Sequence, residues 1–157
     1  MDDYFMLRDF ISVNKLKAEV FETSREVRTA ERASEVMGLE ADSVAKSIVM
    51  VDPNKNPLLV ILLGPDHIDF AKIKALLGVR DIRLAEPDEV FEITGYKVGG
   101  VPPISIYGIK TLMDRRAANK IEVICGGGDH AHLMRIKVKE ILENVEDIEV
   151  EDVARHS

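Results

Sequence analysis

Two apolar runs, Ala45 to Val51 and Leu58 to Leu63, are separated only by Asp52-Pro53-Asn54-Lys55-Asn56-Pro57. Runs this short, bounded by proline, asparagine and aspartate, read as two strands of a hairpin. Neither run alternates apolar with polar, so both faces of the hairpin must be covered. That requirement shapes the rest of the chain. It calls for a sheet with cover on each side, which 157 residues can supply without staples. Helical spacing at Asp3 to Val13, Asp69 to Leu77, Pro87 to Ile93 and Lys137 to Asn144 provides the cover. A further helix starts at Thr29, a good N-cap, and stops at Gly38. Other strands are expected at Ala18 to Glu22, Asp81 to Leu84, Lys110 to Met113, Ile121 to Cys125, Leu133 to Ile136 and Ile148 to Val150. Strands come both as hairpins and across helices. The expected class is α+β (mixed α/β) over one domain, residues 1–157, with a mixed sheet surrounded by helices.

Composition narrows the function. The formal net charge is −7, which argues against a broad grip on nucleic acid but leaves room for a local pocket that holds one strand end. Seven acidic residues and no Lys or Arg lie between Glu140 and Asp152, a solvated face. Cys125 is the one cysteine, so no internal disulfide forms. The acidic start MDDYFMLRDF does not read as a secretory signal, and the longest apolar run is far short of the roughly 20 residues that span a bilayer. The expectation is a soluble, cytoplasmic protein with no membrane partner.

Four features can carry chemistry. Lys46 lies early in a strand, on the face of Ile48 and Met50; an ammonium there is either at the strand's open end or paired. Thr94-Gly95-Tyr96-Lys97-Val98-Gly99-Gly100-Val101-Pro102-Pro103 combines flexible glycines with stiff prolines and leaves the amides of Gly99, Gly100 and Val101 to face an oxyanion. It is neither a Walker A loop nor a dinucleotide fingerprint. Gly126-Gly127-Gly128-Asp129-His130-Ala131-His132 offers two histidines on one strand face, but no third ligand follows at a convincing spacing, so no metal is expected. Arg25, Arg28 and Arg32, aligned if the helix reaches back past Thr29, and Arg115, Arg116 and Lys120 are basic clusters that suit either solvent or phosphate. Lys46 and Ser47 face opposite sides of a strand, so they do not form a Ser–Lys dyad.

Taken in order, Arg28-Thr29-Ala30-Glu31, Val44-Ala45-Lys46-Ser47-Ile48-Val49, Thr94-Gly95-Tyr96, Gly99-Gly100-Val101-Pro102-Pro103, Met113-Asp114 and the glycines at 126–128 resemble the YbaK/ProX family of aminoacyl-tRNA deacylases. That family includes the editing domain of bacterial prolyl-tRNA synthetases. The likeness runs from Thr29 to the C-terminus. It implies a largely antiparallel, partly barrel-like sheet and hydrolysis, without a cofactor, of the ester joining a wrong amino acid to a tRNA 3′ end. It places the family's positioning lysine on Lys46, with Gly99 and Gly100 as further catalytic positions. Thr29, Ser47, Thr94, Gly95, Val101, Pro102, Pro103, Asp114, Gly126, Gly127 and Gly128 become substrate-binding positions. The implied partners are the acceptor end of an aminoacyl-tRNA and an aminoacyl-tRNA synthetase, for a monomer or small homo-oligomer. Two departures bear on amino-acid specificity. Relatives often follow the double proline with an aromatic, a glycine and a histidine, where this chain has Ile104-Ser105-Ile106. They also carry an acid after the aspartate, where this chain has Arg115-Arg116. Two alternatives are a noncatalytic module that binds an aminoacyl end or small molecule and docks on a synthetase, and a metal-dependent hydrolase using His130 and His132.

Overall fold

The structure is a computed structural model that describes residues 3–156, with side chains from residue 5 onward. The elements in chain order are α1 (Asp3–Val13), β1 (Glu19–Glu22), α2 (Ala30–Met37), a 3-10 turn (Ala41–Ser43), β2 (Ala45–Val51), β3 (Pro57–Leu63), β4 (His67–Ile68), α3 (Phe70–Leu77), β5 (Arg83–Leu84), α4 (Pro87–Thr94), β6 (Lys110–Asp114), α5 (Arg115–Ala118), β7 (Glu122–Gly126), β8 (His132–Lys137), α6 (Val138–Asn144), β9 (Ile148–Glu151) and β10 (Ala154–Arg155).

The expected hairpin forms, with Ala45 opposite Leu63 and Val51 opposite Pro57. Asp52 closes its loop: one carboxylate oxygen accepts the amides of Asn54 and Asn56, and the other accepts the Asn56 side chain. The hairpin is the centre of a five-stranded sheet in the order β5-β2-β3-β6-β9. β6 and β9 run parallel to β3, while β5 and β2 are antiparallel to their neighbours. Both faces of β3 are covered, as its sequence requires. Leu59, Ile61 and Leu63 enter one core cluster with Tyr96, Met113 and Met134. Leu58, Val60 and Leu62 enter another with Ile73, Leu112 and Val153. Each such side chain, fully buried, contributes about 1.5–3 kcal/mol.

A second, antiparallel sheet has the order β1-β8-β7, and β4 pairs with β10 in a two-stranded ribbon. The two larger sheets meet at a single parallel bridge between Val44 and Ile124. No barrel closes among the described residues, so the expected barrel character goes no further than this seam. Below the seam lies a third apolar cluster of Val27, Ala33, Val44, Ile124 and Leu133.

The helix ends follow the capping residues. The Thr29 side chain accepts from the Arg32 amide and Gly38 closes α2 in the left-handed conformation. Asp69 caps α3 in the same manner, and Gly78 ends it. α2 begins at Ala30, so Arg25 and Arg28 precede it and the expected helical alignment with Arg32 does not occur. Instead Arg28 pairs with Glu26 and Arg32 with Glu35, all partly or fully exposed. No helix of the described residues is long and apolar enough to cross a membrane.

Candidate active site

A cavity of about 390 Å³ opens at the seam between the two sheets. Lys46, Thr29, Ser47, Gly99, Val101 and Gly126 all line it, from four separate stretches of sequence. Val27, Ala33, Val44, Cys125 and Leu133 give it an apolar floor.

The cavity exists because β2 is half covered. β5 pairs only with Met50 and Val51, so the edge of β2 ahead of them is unpaired by that neighbour. The Ala85 amide donates to the Val49 carbonyl, which points the backbone groups of Val49 away from β3. The Gly64 amide donates to the Val44 carbonyl on the β3 side. Alternation then turns the N–H and C=O of Ser47 toward the open edge. The Ser47 hydroxyl is buried and has no hydrogen-bond partner among the described residues. A buried polar atom left in this state costs roughly 1–3 kcal/mol unless something external satisfies it. Side chains from both faces of β2 border the cavity because it wraps around this free edge.

Lys46 is half-buried, and its Nζ donates to the Gly64 carbonyl at 2.9 Å. Burial lowers its pKa from the ordinary lysine value, and the carboxylates of Asp66 and Glu31 offset part of that. Of the two placements its sequence allowed, Lys46 combines both: it sits at the strand's start and has a partner. The carbonyl it holds belongs to a turn that the Asp66 amide closes onto Leu63. The buried Asp66 side chain is itself fixed by Arg116 at 3.0 Å and faces His156 at 3.3 Å.

The glycines serve the approach of backbones. A Cβ on Gly99 would lie 2.6 Å from the Arg28 carbonyl oxygen, and one on Gly100 would lie 2.9 Å from Asp129 Cα. A Cβ on Gly126 would collide with the Val101 carbonyl, and one on Gly127 with His132. Gly99 has φ 88° and stands third in a turn closed by the Gly100 amide on the Lys97 carbonyl. The Gly100 amide is therefore spent inside the loop, and the Gly128 amide donates in turn to the Gly100 carbonyl. Gly99 and Val101 remain at the cavity wall.

The other residues expected at the site lie outside the cavity lining. Thr94 and Gly95 end α4: the Thr94 hydroxyl bonds the Val90 carbonyl and the Tyr96 amide, and Gly95 adopts φ 81°. Pro102 and Pro103 are buried behind the loop. Asp114 caps α5 through the Arg116 amide and accepts the Val153 amide at 3.1 Å. Replacing Asp114 with alanine is therefore expected to cost about 2–4 kcal/mol of stability, by loss of a cap and of a buried acceptor, read as a lower urea midpoint at unchanged slope.

Several groups that sequence reasoning did not place in the site line it. Cys125 is one, but burial pushes its thiol far up, so it is no nucleophile. Gly64 and Glu31 border it beside Lys46. No local motif marks Gly64; its role follows from the turn geometry. His132 Nδ1 lies 2.7 Å from Asp129, and His130 Nε2 donates to the Val98 carbonyl at 2.7 Å, so both rings brace the loops. Arg116 is engaged with Asp66, and Lys120 with Asp42.

The mixed α+β scaffold is the class expected from the sequence, and residues 24–143 match the model of the aminoacyl-tRNA editing domain. The chain belongs to the aminoacyl-tRNA editing domain family. It is 28% identical over 114 residues to a proline–tRNA ligase of Halalkalibacterium halodurans, covering 73% of this chain and 20% of the ligase. It is also 34% identical over 86 residues to the uncharacterized protein YwhH of Bacillus subtilis, covering 55% of this chain and 53% of that protein. The chain thus spans about a fifth of the ligase it matches. Among solved structures, a crystallised candidate trans-editing enzyme for prolyl tRNA synthetase superposes with a TM-score of 0.87 at 27% identity, covering 99% of this chain and 98% of that one. A crystallised hypothetical protein reaches a TM-score of 0.88, also at 27% identity, over 96% and 99% of the two chains.

Proposed function

We propose that the protein is a trans-editing deacylase: it hydrolyses the ester between a wrongly attached amino acid and the 3′ end of a tRNA, acting in the cytoplasm as one domain. The observation that carries this reading is Lys46, an ammonium held on the wall of a cavity that also contains the unsatisfied Ser47 hydroxyl. The near-complete overlap with the crystallised candidate trans-editing enzyme favours action in trans over action inside a ligase.

The chemistry asks little of the protein. An aminoacyl ester is already activated, so orientation and charge stabilisation carry most of the barrier reduction. Water adds to the ester carbonyl, the C–O bond to the ribose breaks, and a proton goes to the departing ribose oxygen. Lys46 positions the substrate through its polar groups. The developing oxyanion takes donors from the cavity wall, at Ser47 on the open edge of β2 and at Gly99 and Val101. Gly100, whose amide is engaged with Lys97, supports the loop.

The test is deacylation of a panel of Cys-, Ala-, Ser- and Thr-charged tRNAs by the purified protein. Turnover of none of them by the folded protein overturns the reading. Saturable binding of an aminoacyl-adenosine analogue in that case would mark a binding module, whose partner would be a synthetase.

The depressed pKa of Lys46 has two consequences with opposite signs. Between its folded value and the ordinary 10.5 the unfolded chain binds more protons, so this residue makes stability rise with pH across that window. Activity that needs the charged form falls across the same window. After subtraction of the uncatalysed rate, the alkaline limb of the pH–rate profile is expected below 10.5, and in Lys46→Arg that limb should leave the range.

A further inference from the structure

A second, smaller cavity of about 270 Å³ lies against the first, and the two share Ala30, Glu31, Lys46 and Gly64. Its remaining wall is Ala41, Pro65 and His67. We propose that this smaller cavity receives the terminal nucleoside of the substrate, while the aminoacyl group occupies the larger one. The proposal rests on the deacylase reading of the larger cavity and assigns the other half of its ligand.

The partition follows from the shape of the substrate. An aminoacyl-nucleoside ester is two unlike groups joined at one point. Two compartments that meet at one fixed cation match that form, and Lys46 is held at the junction by the Gly64 carbonyl, which borders both. Exposure decides which group goes where. The nucleoside carries the rest of the RNA, so its compartment must open to solvent. Every residue of the smaller cavity is exposed or partly exposed, whereas the larger one, beneath a rim that includes exposed Arg28, Thr29 and Val98, has a floor of buried Val27, Ala33, Val44, Val101, Cys125 and Leu133. The side chains agree with this choice. The imidazole of His67 offers an aromatic ring on which a base can stack, with the apolar ring of Pro65 beside it in the lining. The Glu31 carboxylate accepts hydrogen bonds and suits ribose hydroxyls. The apolar residues of the smaller cavity, Ala30, Ala41 and Pro65, are none of them buried, while the larger has a buried floor of valine, alanine and leucine that suits an amino-acid side chain.

The experiment compares matched probes. The alanyl, seryl, cysteinyl and threonyl amides of 3′-amino-3′-deoxyadenosine are titrated beside the same four amino acids as methylamides, which lack the nucleoside. At least one adenosine amide is expected to bind ten-fold or more tightly than its methylamide. Ala41→Trp, at an exposed position of the 3-10 turn, should erase that advantage and leave methylamide affinity within two-fold. His67→Ala, also exposed, should reduce the advantage several-fold and guards against a folding defect in the first variant. Equal binding of the two probe types, binding of neither, an advantage that survives Ala41→Trp, or equal losses for both probes would each overturn the proposal. The tRNA panel separates the two readings: turnover without a nucleoside advantage sinks this subsite alone, and an advantage without turnover sinks the deacylase alone.

Discussion

Lys46→Ala is expected to lower single-turnover deacylation by at least about 10²-fold, the scale seen when one preorganised electrostatic contact is removed from an active site. The fold should survive it. The residue is half-buried, and its Nζ makes one hydrogen bond, to the Gly64 carbonyl. Losing that bond costs on the order of 1 kcal/mol, and removing a desolvated ammonium returns part of it. A melting temperature within a few degrees of the parent, with unchanged circular dichroism, would show that the rate loss is chemical. Lys46→Met refines the test, because it keeps the length of the stem and deletes only the charge. A Lys46→Met variant as fast as the parent would remove the lysine from the mechanism.

The second large effect is on the scaffold. Gly126→Ala is expected to destabilise the protein by about 3 kcal/mol or more, the upper end of overpacking costs. Gly126 is the cleanest place to ask, since it lies in β7 with an ordinary φ and alanine adds only a methyl. That methyl would collide with the carbonyl oxygen of Val101 and lie 2.8 Å from its carbonyl carbon. Backbone cannot step aside as a flexible side chain can, so β7 and the 97–101 loop must separate. Urea unfolding should show the lower midpoint, and turnover should fall along with it because both segments line the cavity. Gly99→Ala would be harder to interpret, because its positive φ adds conformational strain to the 2.6 Å approach to Arg28.

What the sequence revealed and what it hid divide along contact range. The hairpin was legible because its two runs are continuous and its loop is made of turn residues. The ends of α2 and α3 were legible from Thr29, Gly38, Asp69 and Gly78, whose capping is local. The paired β4 and β10 escaped notice because two-residue strands carry no period. At the site, residue types pointed to Lys46 and the glycine segments, but not to what each glycine does. The approach of Gly99 to Arg28 and of Gly100 to Asp129 joins stretches about 70 and 30 residues apart, and no local pattern encodes such distances. Asp114, Thr94 and Gly95 illustrate the same limit. Their motif positions suggested ligand contact, whereas the bonds they make are to helix ends and to the link between β9 and β10. Ser105, where the resemblance leads one to expect a glycine, has a left-handed backbone at φ 67° and uses its hydroxyl to accept from Tyr96. The departure is thus absorbed inside the fold, away from the cavity lining.

The interlocked loops also bear on how such a cleft can change over generations. Where main chain rests on main chain, at Gly99, Gly100, Gly126 and Gly127, almost any replacement breaks the vessel before it alters the contents. Novelty has to come from positions that carry side chains, such as Ala33, Ile48, Val98 and Leu133, where volume can be traded one group at a time. A lineage built on this frame can therefore reshape what the cleft holds while the backbone around it stands still.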